Sequence, residues 1–158
     1  MIGVATDEGL DRLPSATPRV RIVDFEMAAV DIFNEGLLMA PVFAIPRLLT
    51  RHGLKFDDIA LWEIHEAFSA QVLCHLKALE DEDFVRKKAG VEHTFGSFPR
   101  NRMNPNGGSV PLGHPFGATG ARILSQAVKE LAALPKGSRA IVSICADGGL
   151  GTVAMLQN

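Results

Sequence analysis

A chain of 158 residues with 47% apolar and 22% charged side chains has the composition of one globular domain with a packed core, not of a disordered segment. Its 16 Lys and Arg against 18 Asp and Glu give a formal charge of −2, which argues against nucleic acid as a partner. The longest apolar run, Leu37 to Ile45, is interrupted by Pro41 and falls far short of the roughly 20 residues that span a bilayer.

The elements follow in chain order. Residues 1–17 carry weak signals: Thr6-Asp7-Glu8 as a helix opening, with Pro14 and Pro18 as breakers. The acids in this stretch resemble neither a signal nor a transit peptide. Val20 to Phe25 reads as a strand and Asn34-Glu35-Gly36 as a turn. Pro46 breaks the start of the next helical pattern, so the helix is expected over Pro46 to His52, capped by Gly53 in the left-handed conformation. Ile59 to His65 reads as a strand. Phe68, Val72, Leu76 and Leu79 then recur at helical spacing, so an amphipathic helix is expected over Glu66 to Leu79. Residues 80–103 are charged and irregular and read as a long functional or mobile loop, with a helical turn at Phe84 to Ala89. Ala121, Leu124, Val128 and Leu131 mark a further helix face, ended by Pro135 and Gly137. Arg139 to Cys145 and Leu150 to Leu156 are strands joined by a tight turn at Asp147-Gly148-Gly149. Alternating strands and helices give an α/β fold, and the closing hairpin makes its sheet a mixed β-sheet flanked by helices.

The two cysteines, Cys74 and Cys145, lie outside any CxxC or zinc-finger spacing. A disulfide scaffold and a structural zinc site are therefore not expected, and a reducing, cytoplasmic location is. Eight of the 15 glycines fall in two short stretches, Gly107–Gly120 and Gly148–Gly151, next to the side chains with the most chemistry. Three such residues sit where α/β sheets place their sites, at strand carboxyl ends or helix mouths: His65, His114 and Cys145. Each has a plain alternative. His65 is either a packing or capping histidine or a site group. Pro115 suits a helix start, so His114 either opens a helix at a site or marks a glycine-rich corner that lets helix and strand pack closely. Neither a P-loop nor a GxGxxG pattern is present. Cys145 is either an inert core cysteine or a thiol whose pKa is depressed by the backbone amides of the following turn. Cys74, within the amphipathic pattern, reads as structural or idle. Metal ligation by His65, His114, Cys145 and Asp147 is disfavoured, because no two of them share an element at ligand spacing.

Three blocks occur in order: His65-Glu-Ala-Phe-Ser69, Gly107-Gly108 through Gly113-His114-Pro115 to Gly120-Ala-Arg122, and Cys145-Ala-Asp-Gly-Gly-Leu-Gly151. Together they resemble the signature blocks of the C-terminal half of a thiolase. Having His where many thiolases have Asn before Glu-Ala-Phe, the chain resembles the branch that contains the β subunit of the fatty-acid oxidation trifunctional enzyme. The long segment 80–103 resembles that branch too.

The resemblance implies a thiolase-like fold and an acyltransferase that cleaves 3-ketoacyl-CoA by thiolysis or runs the reverse Claisen condensation. It implies that His114 activates the nucleophilic cysteine and helps bind the thioester oxygen, and that Cys145 moves a proton to or from the α-carbon. It implies that His65 serves the first oxyanion hole and that the backbone N–H of Asp147 serves the second, with Phe68 and Gly148 beside the substrate. Most thiolases have Gly at position 147, and a carboxylate pointing inward there would disfavour an enolate.

A coenzyme A thioester is then the substrate, with no covalently bound cofactor. Homo-oligomers are expected, and neither nucleic acid nor a membrane span. The nucleophilic cysteine of the family belongs to an N-terminal half that this chain does not contain. Residues 1–17 are expected to be a remnant of a preceding segment and 18–158 the C-terminal domain, inactive alone and partnered by an N-terminal half. The competing reading is a non-catalytic thiolase-like module that binds acyl-CoA or a protein. The enzyme-half reading expects self-association or an exposed apolar patch, and His65, His114 and Cys145 at one sheet edge.

Overall fold

The β-forming run after Pro18 becomes strand β1, Arg21–Ala29, and three more strands join it: β2, Leu61–Ile64; β3, Arg139–Ala146; and β4, Leu150–Gln157. The computed structural model describes residues 2–158, and its sheet has the order β1-β4-β3-β2. β3 and β4 form the expected antiparallel hairpin. Gly148 and Gly149 close it with φ of +81° and +76°, a region open to glycine and costly for other residues. β2 runs parallel to β3, with Leu61 opposite Ala140 and Ile64 opposite Ser143, so the sheet is mixed. β1 pairs antiparallel with β4 and forms one edge.

Alternation along the strands sorts the side chains into two cores. Leu61, Ala140, Val142 and Leu156 point to one face and meet Ile123, Ala127 and Leu131 of helix α6, Thr119–Ala132. Trp62, Ile64, Ile141, Val153 and Met155 point to the other. There they meet helices α2, Pro41–Arg51, and α3, Ser69–Glu80. The remaining helices are one or two turns each: α1, Asp7–Leu10; α4, Glu82–Lys87; and α5, Ser109–Leu112.

Four expectations need correction. Helix α2 starts at Pro41, five residues before the expected start, and holds Pro46 inside it. Pro41 sits where a helix needs no N–H. An interior proline costs about 3 kcal/mol. Val42, Ile45, Leu48 and Leu49 are fully buried, and burial stabilises by about 1.5–3 kcal/mol per side chain, so packing outweighs the break. Helix α3 starts at Ser69, because Phe68 is extended, with φ −147° and ψ 143°. The buried stripe of α6 runs through Ile123, Ala127 and Leu131, an i, i+4 row, while Ala121 is exposed.

The fourth concerns 80–103, which is not a loose loop. Its Val85, Val91, Phe95 and Phe98 are buried. Phe95 stacks on Phe56 and Phe98 meets it edge-on, with centroids 5.1 and 5.5 Å away, and Phe98 lies 4.7 Å from Trp62. These anchors are spaced irregularly between charges, so no helical or strand period announces them.

The two faces are not equally covered. On one side α2 packs across β1, β4 and β3, whereas on the other α6 packs on β2 and β3. Beyond α6, the same face continues through Ile22, Phe25 and Met27 of β1 and Leu150 of β4, which are 50–64% exposed. This is the apolar patch the sequence led us to expect.

Candidate functional site

Strand β2 ends at Ile64, and the next residue, His65, donates its amide N–H to the Ser143 carbonyl of β3 at 2.8 Å. That bond holds His65 at the carboxyl edge of the sheet, where strand ends leave room for reacting groups. Its imidazole is 2% exposed and neither ring nitrogen has a hydrogen-bond partner. Burial first, and the neighbouring His114 imidazole second, pull its pKa down to about 4, so the ring is neutral at pH 7.

His114 reaches this place through a clamp that motif spacing did not reveal. Asn104 has φ +45°, the sole positive φ outside glycine among the described residues. Its amide N–H donates to the Trp62 carbonyl at 2.8 Å, extending the sheet by one bond. Its side-chain oxygen accepts the Ile64 N–H at 2.8 Å, and its Nδ2 donates to the Ile64 carbonyl at 2.9 Å and to Glu66 Oε1 at 2.6 Å. The other Glu66 oxygen accepts the Val110 N–H of α5 at 3.0 Å. Gly108 passes so close to the Glu66 carboxylate that a Cβ there would force the carboxylate out of its place. The chain then turns through Gly113 and Gly117, with φ +96° and +80°, and sets the His114 ring edge-on to His65, centroids 4.3 Å apart at 77°.

His114 does not open a helix, as Pro115 suggested. It lies five residues before Thr119, the first residue of α6, whose Oγ1 is 2.7 Å from His114 Nδ1. The Phe116 ring sits 4.7 Å from His114 and is 89% exposed, so the imidazole stands at an open surface.

Cys145 stands near the end of β3, opposite Gly151 of β4. It shares the α2 face with Ile141 and Ser143. Pro41 packs so tightly over Gly151 that an added Cβ would lie 2.7 Å from its ring. Cys145 is 7% exposed, and burial pushes its thiol up to about 11, which fits the core-cysteine reading and not the depression that the following turn also allowed. Desolvation outweighs the amide dipoles, so Cys145 is a thiol. Among the described residues it hydrogen-bonds to neither imidazole.

Asp147 lies in the exposed turn, and its Oδ1 accepts the Gly148 N–H at 2.8 Å. The turn therefore spends one amide donor on its own carboxylate. Phe68 is 66% exposed at the mouth of α3, and Cys74 is exposed on α3. The structure thus brings His65 and His114 into ring contact, sets Cys145 on the adjacent strand end, and leaves Asp147, Gly148 and Phe68 at the surface.

Sequence reasoning assigned no role to Glu63, Glu66, Asn104 or Thr119, and named Gly108 only as part of a glycine block. Glu66 stood inside a quoted block, and Asn104-Pro-Asn-Gly-Gly is a turn signature. Glu63 gave no signal. It is 1% exposed, neither carboxylate oxygen has a partner, and burial first and then nearby Glu130 raise its pKa to about 8. No cluster of three metal-ligating side chains exists among the described residues.

The carboxyl edge of this mixed sheet thus carries paired imidazoles and, on the neighbouring strand, a buried thiol. Comparison with known proteins identifies the class: residues 16–158 match the thiolase C-terminal domain, and the chain belongs to that family. It is 37% identical over 150 residues to a 3-ketoacyl-CoA thiolase of Shewanella amazonensis, covering 95% of this chain and 34% of that protein. A thiolase from Ascaris suum in complex with coenzyme A superposes with a TM-score of 0.71 at 31% identity, over 98% of this chain and 34% of the other. The peroxisomal 3-ketoacyl-CoA thiolase of Saccharomyces cerevisiae gives a TM-score of 0.63 at 34% identity, over 88% of this chain and 34% of the other. That enzyme is a five-layered α-β-α-β-α structure built from two core domains of identical topology. The chain spans about a third of the length of the curated relatives it matches.

Proposed function

We propose that this chain is the C-terminal half of a 3-ketoacyl-CoA thiolase and acts with an N-terminal half that supplies the nucleophilic cysteine. The substrate is a coenzyme A thioester, and no covalent cofactor is required. The observation that carries this reading is the contact of two imidazoles, His65 and His114, at 4.3 Å on the carboxyl edge of the sheet.

In this reading His114 takes the proton of the nucleophilic cysteine supplied by the N-terminal half, and the cysteine thiolate attacks the β-keto carbonyl, so that the acyl group stays on that cysteine. A positioned base of this kind contributes about 10²–10⁴-fold. His65, kept neutral by burial, carries one N–H with no internal partner to give to the thioester oxygen, without the cost of reorganising solvent. As the bond between the α- and β-carbons of the ketoacyl unit breaks, the electron pair passes to the α-carbon. The Cys145 thiol, protonated because it is buried, delivers a proton there. The backbone N–H of Asp147 is the second oxyanion donor of this scheme, and Phe68 and Gly148 border the acyl group.

The exposed face formed by Ile22, Phe25, Met27 and Leu150 is the surface we assign to the N-terminal half, since contiguous exposed apolar patches usually mark interfaces. Residues 18–158 form the domain and 1–17 a preceding connector. The finer assignment within the family is the trifunctional β-subunit branch, supported by His65 in place of Asn and by the long 80–103 segment. We further propose homo-oligomeric assembly of the complete enzyme and a cytoplasmic location. Among the described residues, no helix is long and apolar enough to cross a membrane.

One observation favours a second reading, a non-catalytic acyl-CoA or protein-binding module. The Asp147 carboxylate accepts the Gly148 N–H and brings negative charge to a turn meant for an oxyanion. Thiolysis of acetoacetyl-CoA decides between the two. The isolated chain is expected to be inactive, because the nucleophile that splits the reaction into two feasible steps is absent. Addition of a thiolase N-terminal half is expected to restore turnover, and His114→Ala to abolish it. Binding of acyl-CoA by the reassembled halves without turnover would establish the second reading.

A further inference from the structure

We propose that Thr119 is a positioning residue that sets the tautomer of His114, with Nδ1 protonated and the Nε2 lone pair left free to receive a proton. The proposal rests on the reading of His114 as the base.

The argument is an accounting of one hydroxyl proton. Thr119 is 3% exposed and begins α6. Its Oγ1 lies 3.3 Å from the Pro115 carbonyl and 2.7 Å from His114 Nδ1. A hydroxyl has one proton to give, and a carbonyl can only accept. The Pro115 carbonyl already accepts the Ala118 N–H at 3.1 Å and has a second lone pair to offer. Both Thr119 contacts are hydrogen bonds only if the hydroxyl donates to Pro115 and accepts from the imidazole. Nδ1 then carries the proton and Nε2 does not. The reverse direction, hydroxyl to Nδ1, leaves the Pro115 contact without a proton.

The geometry adds a second reason. His114 is exposed and sits in a turn, where an imidazole would ordinarily sample both tautomers and several rotamers. Thr119 belongs to a packed helix of 14 residues, so the hydroxyl ties a surface ring to a rigid element. The ring is thus held facing His65, and the nitrogen that matters is chosen by a residue that touches no substrate.

The test is ¹⁵N NMR of the histidine rings in the full chain, at a pH where the imidazoles are neutral, with His114→Gln used to assign the signals. Wild type is expected to show the His114 pattern of a protonated Nδ1 and a bare Nε2. Thr119→Ser keeps the hydroxyl and is expected to keep that pattern. Thr119→Val, of nearly the same shape, is expected to shift the signals toward the tautomer with Nε2 protonated. Thr119→Ala provides a second removal of the hydroxyl should Val disturb the packing of α6. A wild-type spectrum with Nε2 protonated would overturn the proposal, and so would removal of the hydroxyl in a folded variant with no change in the pattern. Neither result bears on whether His114 acts as the base, which thiolysis by the reassembled halves tests separately.

Discussion

Substitution of Gly108 by Ala tests the clamp that brings His114 to His65. The backbone of Gly108, φ −125° and ψ −158°, is extended and open to any residue, so the change adds no conformational strain. What it adds is a methyl group in the space of the Glu66 carboxylate. That carboxylate accepts from Asn104 Nδ2 and from the Val110 N–H. Hydrogen bonds to a charged group contribute about 1.5–3 kcal/mol each, and the half-buried site lets water replace part of the loss, so we expect about 2–3 kcal/mol in total. For a domain of this size that lowers the melting midpoint by roughly 5–10 °C. Calorimetry of Gly108→Ala measures it. In a Glu66→Ala background the same substitution is expected to cost less than about 0.5 kcal/mol, because the colliding group is gone. Stability within about 0.5 kcal/mol of wild type for Gly108→Ala alone would refute the clamp, since changes of that size are ordinary for surface positions.

Other consequences can be measured. Folding raises the Glu63 pKa from its ordinary value of 4.5 to about 8, so the native state binds the extra proton and stability from this group falls as pH rises through that interval. Urea midpoints of Glu63→Gln are therefore expected to gain on wild type between pH 5 and 8; parallel curves would contradict the assignment. His65 and His75 have the opposite sign. Their pKa values are lowered to about 4, so the stability they contribute is present above pH 6.5 and is lost as pH falls toward 4. His75→Gln is expected to retain more of its stability than wild type over that range, and an identical acid limb would count against it. Iodoacetamide at neutral pH is expected to label exposed Cys74 well before Cys145, which burial keeps as a thiol, and peptide mapping with equal rates would exclude that burial. Phe25→Glu combined with Met27→Lys is expected to reduce binding of an apolar dye and self-association seen by light scattering. Unchanged dye binding would place the exposed apolar surface elsewhere.

Strands and the closing hairpin were legible because their residues are β-branched and their turn is Asp-Gly-Gly, signals that act locally. The helix boundaries were less so. Pro46 reads as a breaker in isolation, and only the burial of Ile45, Leu48 and Leu49 explains why α2 runs through it. The packing of 80–103 was hidden for a similar reason: Phe95 and Phe98 find Phe56 and Trp62 across long stretches of chain, with no period to show it. At the site, His65, His114 and Cys145 could be singled out by their places at strand ends and turns. The groups that hold them could not. Glu66, Asn104 and Thr119 act through contacts across up to 44 residues, or through one hydroxyl proton, and neither leaves a trace in spacing. Of the two readings open for Cys145, the structure favours the buried core thiol over the depressed one, because burial is a property of the fold that the turn alone does not show.

The central claim is that this chain activates a cysteine carried by another half, and the acylation step isolates it from everything that follows. A thiolase N-terminal half is mixed with this chain and acetyl-CoA, and intact-mass spectrometry follows acetyl transfer to its nucleophilic cysteine. Acetylation is expected with wild type, and is expected to slow by about 10²–10⁴-fold with His114→Ala, the range for loss of a positioned base. No acetylation with a wild-type chain that binds the N-terminal half, or equal rates for wild type and His114→Ala, would contradict the account.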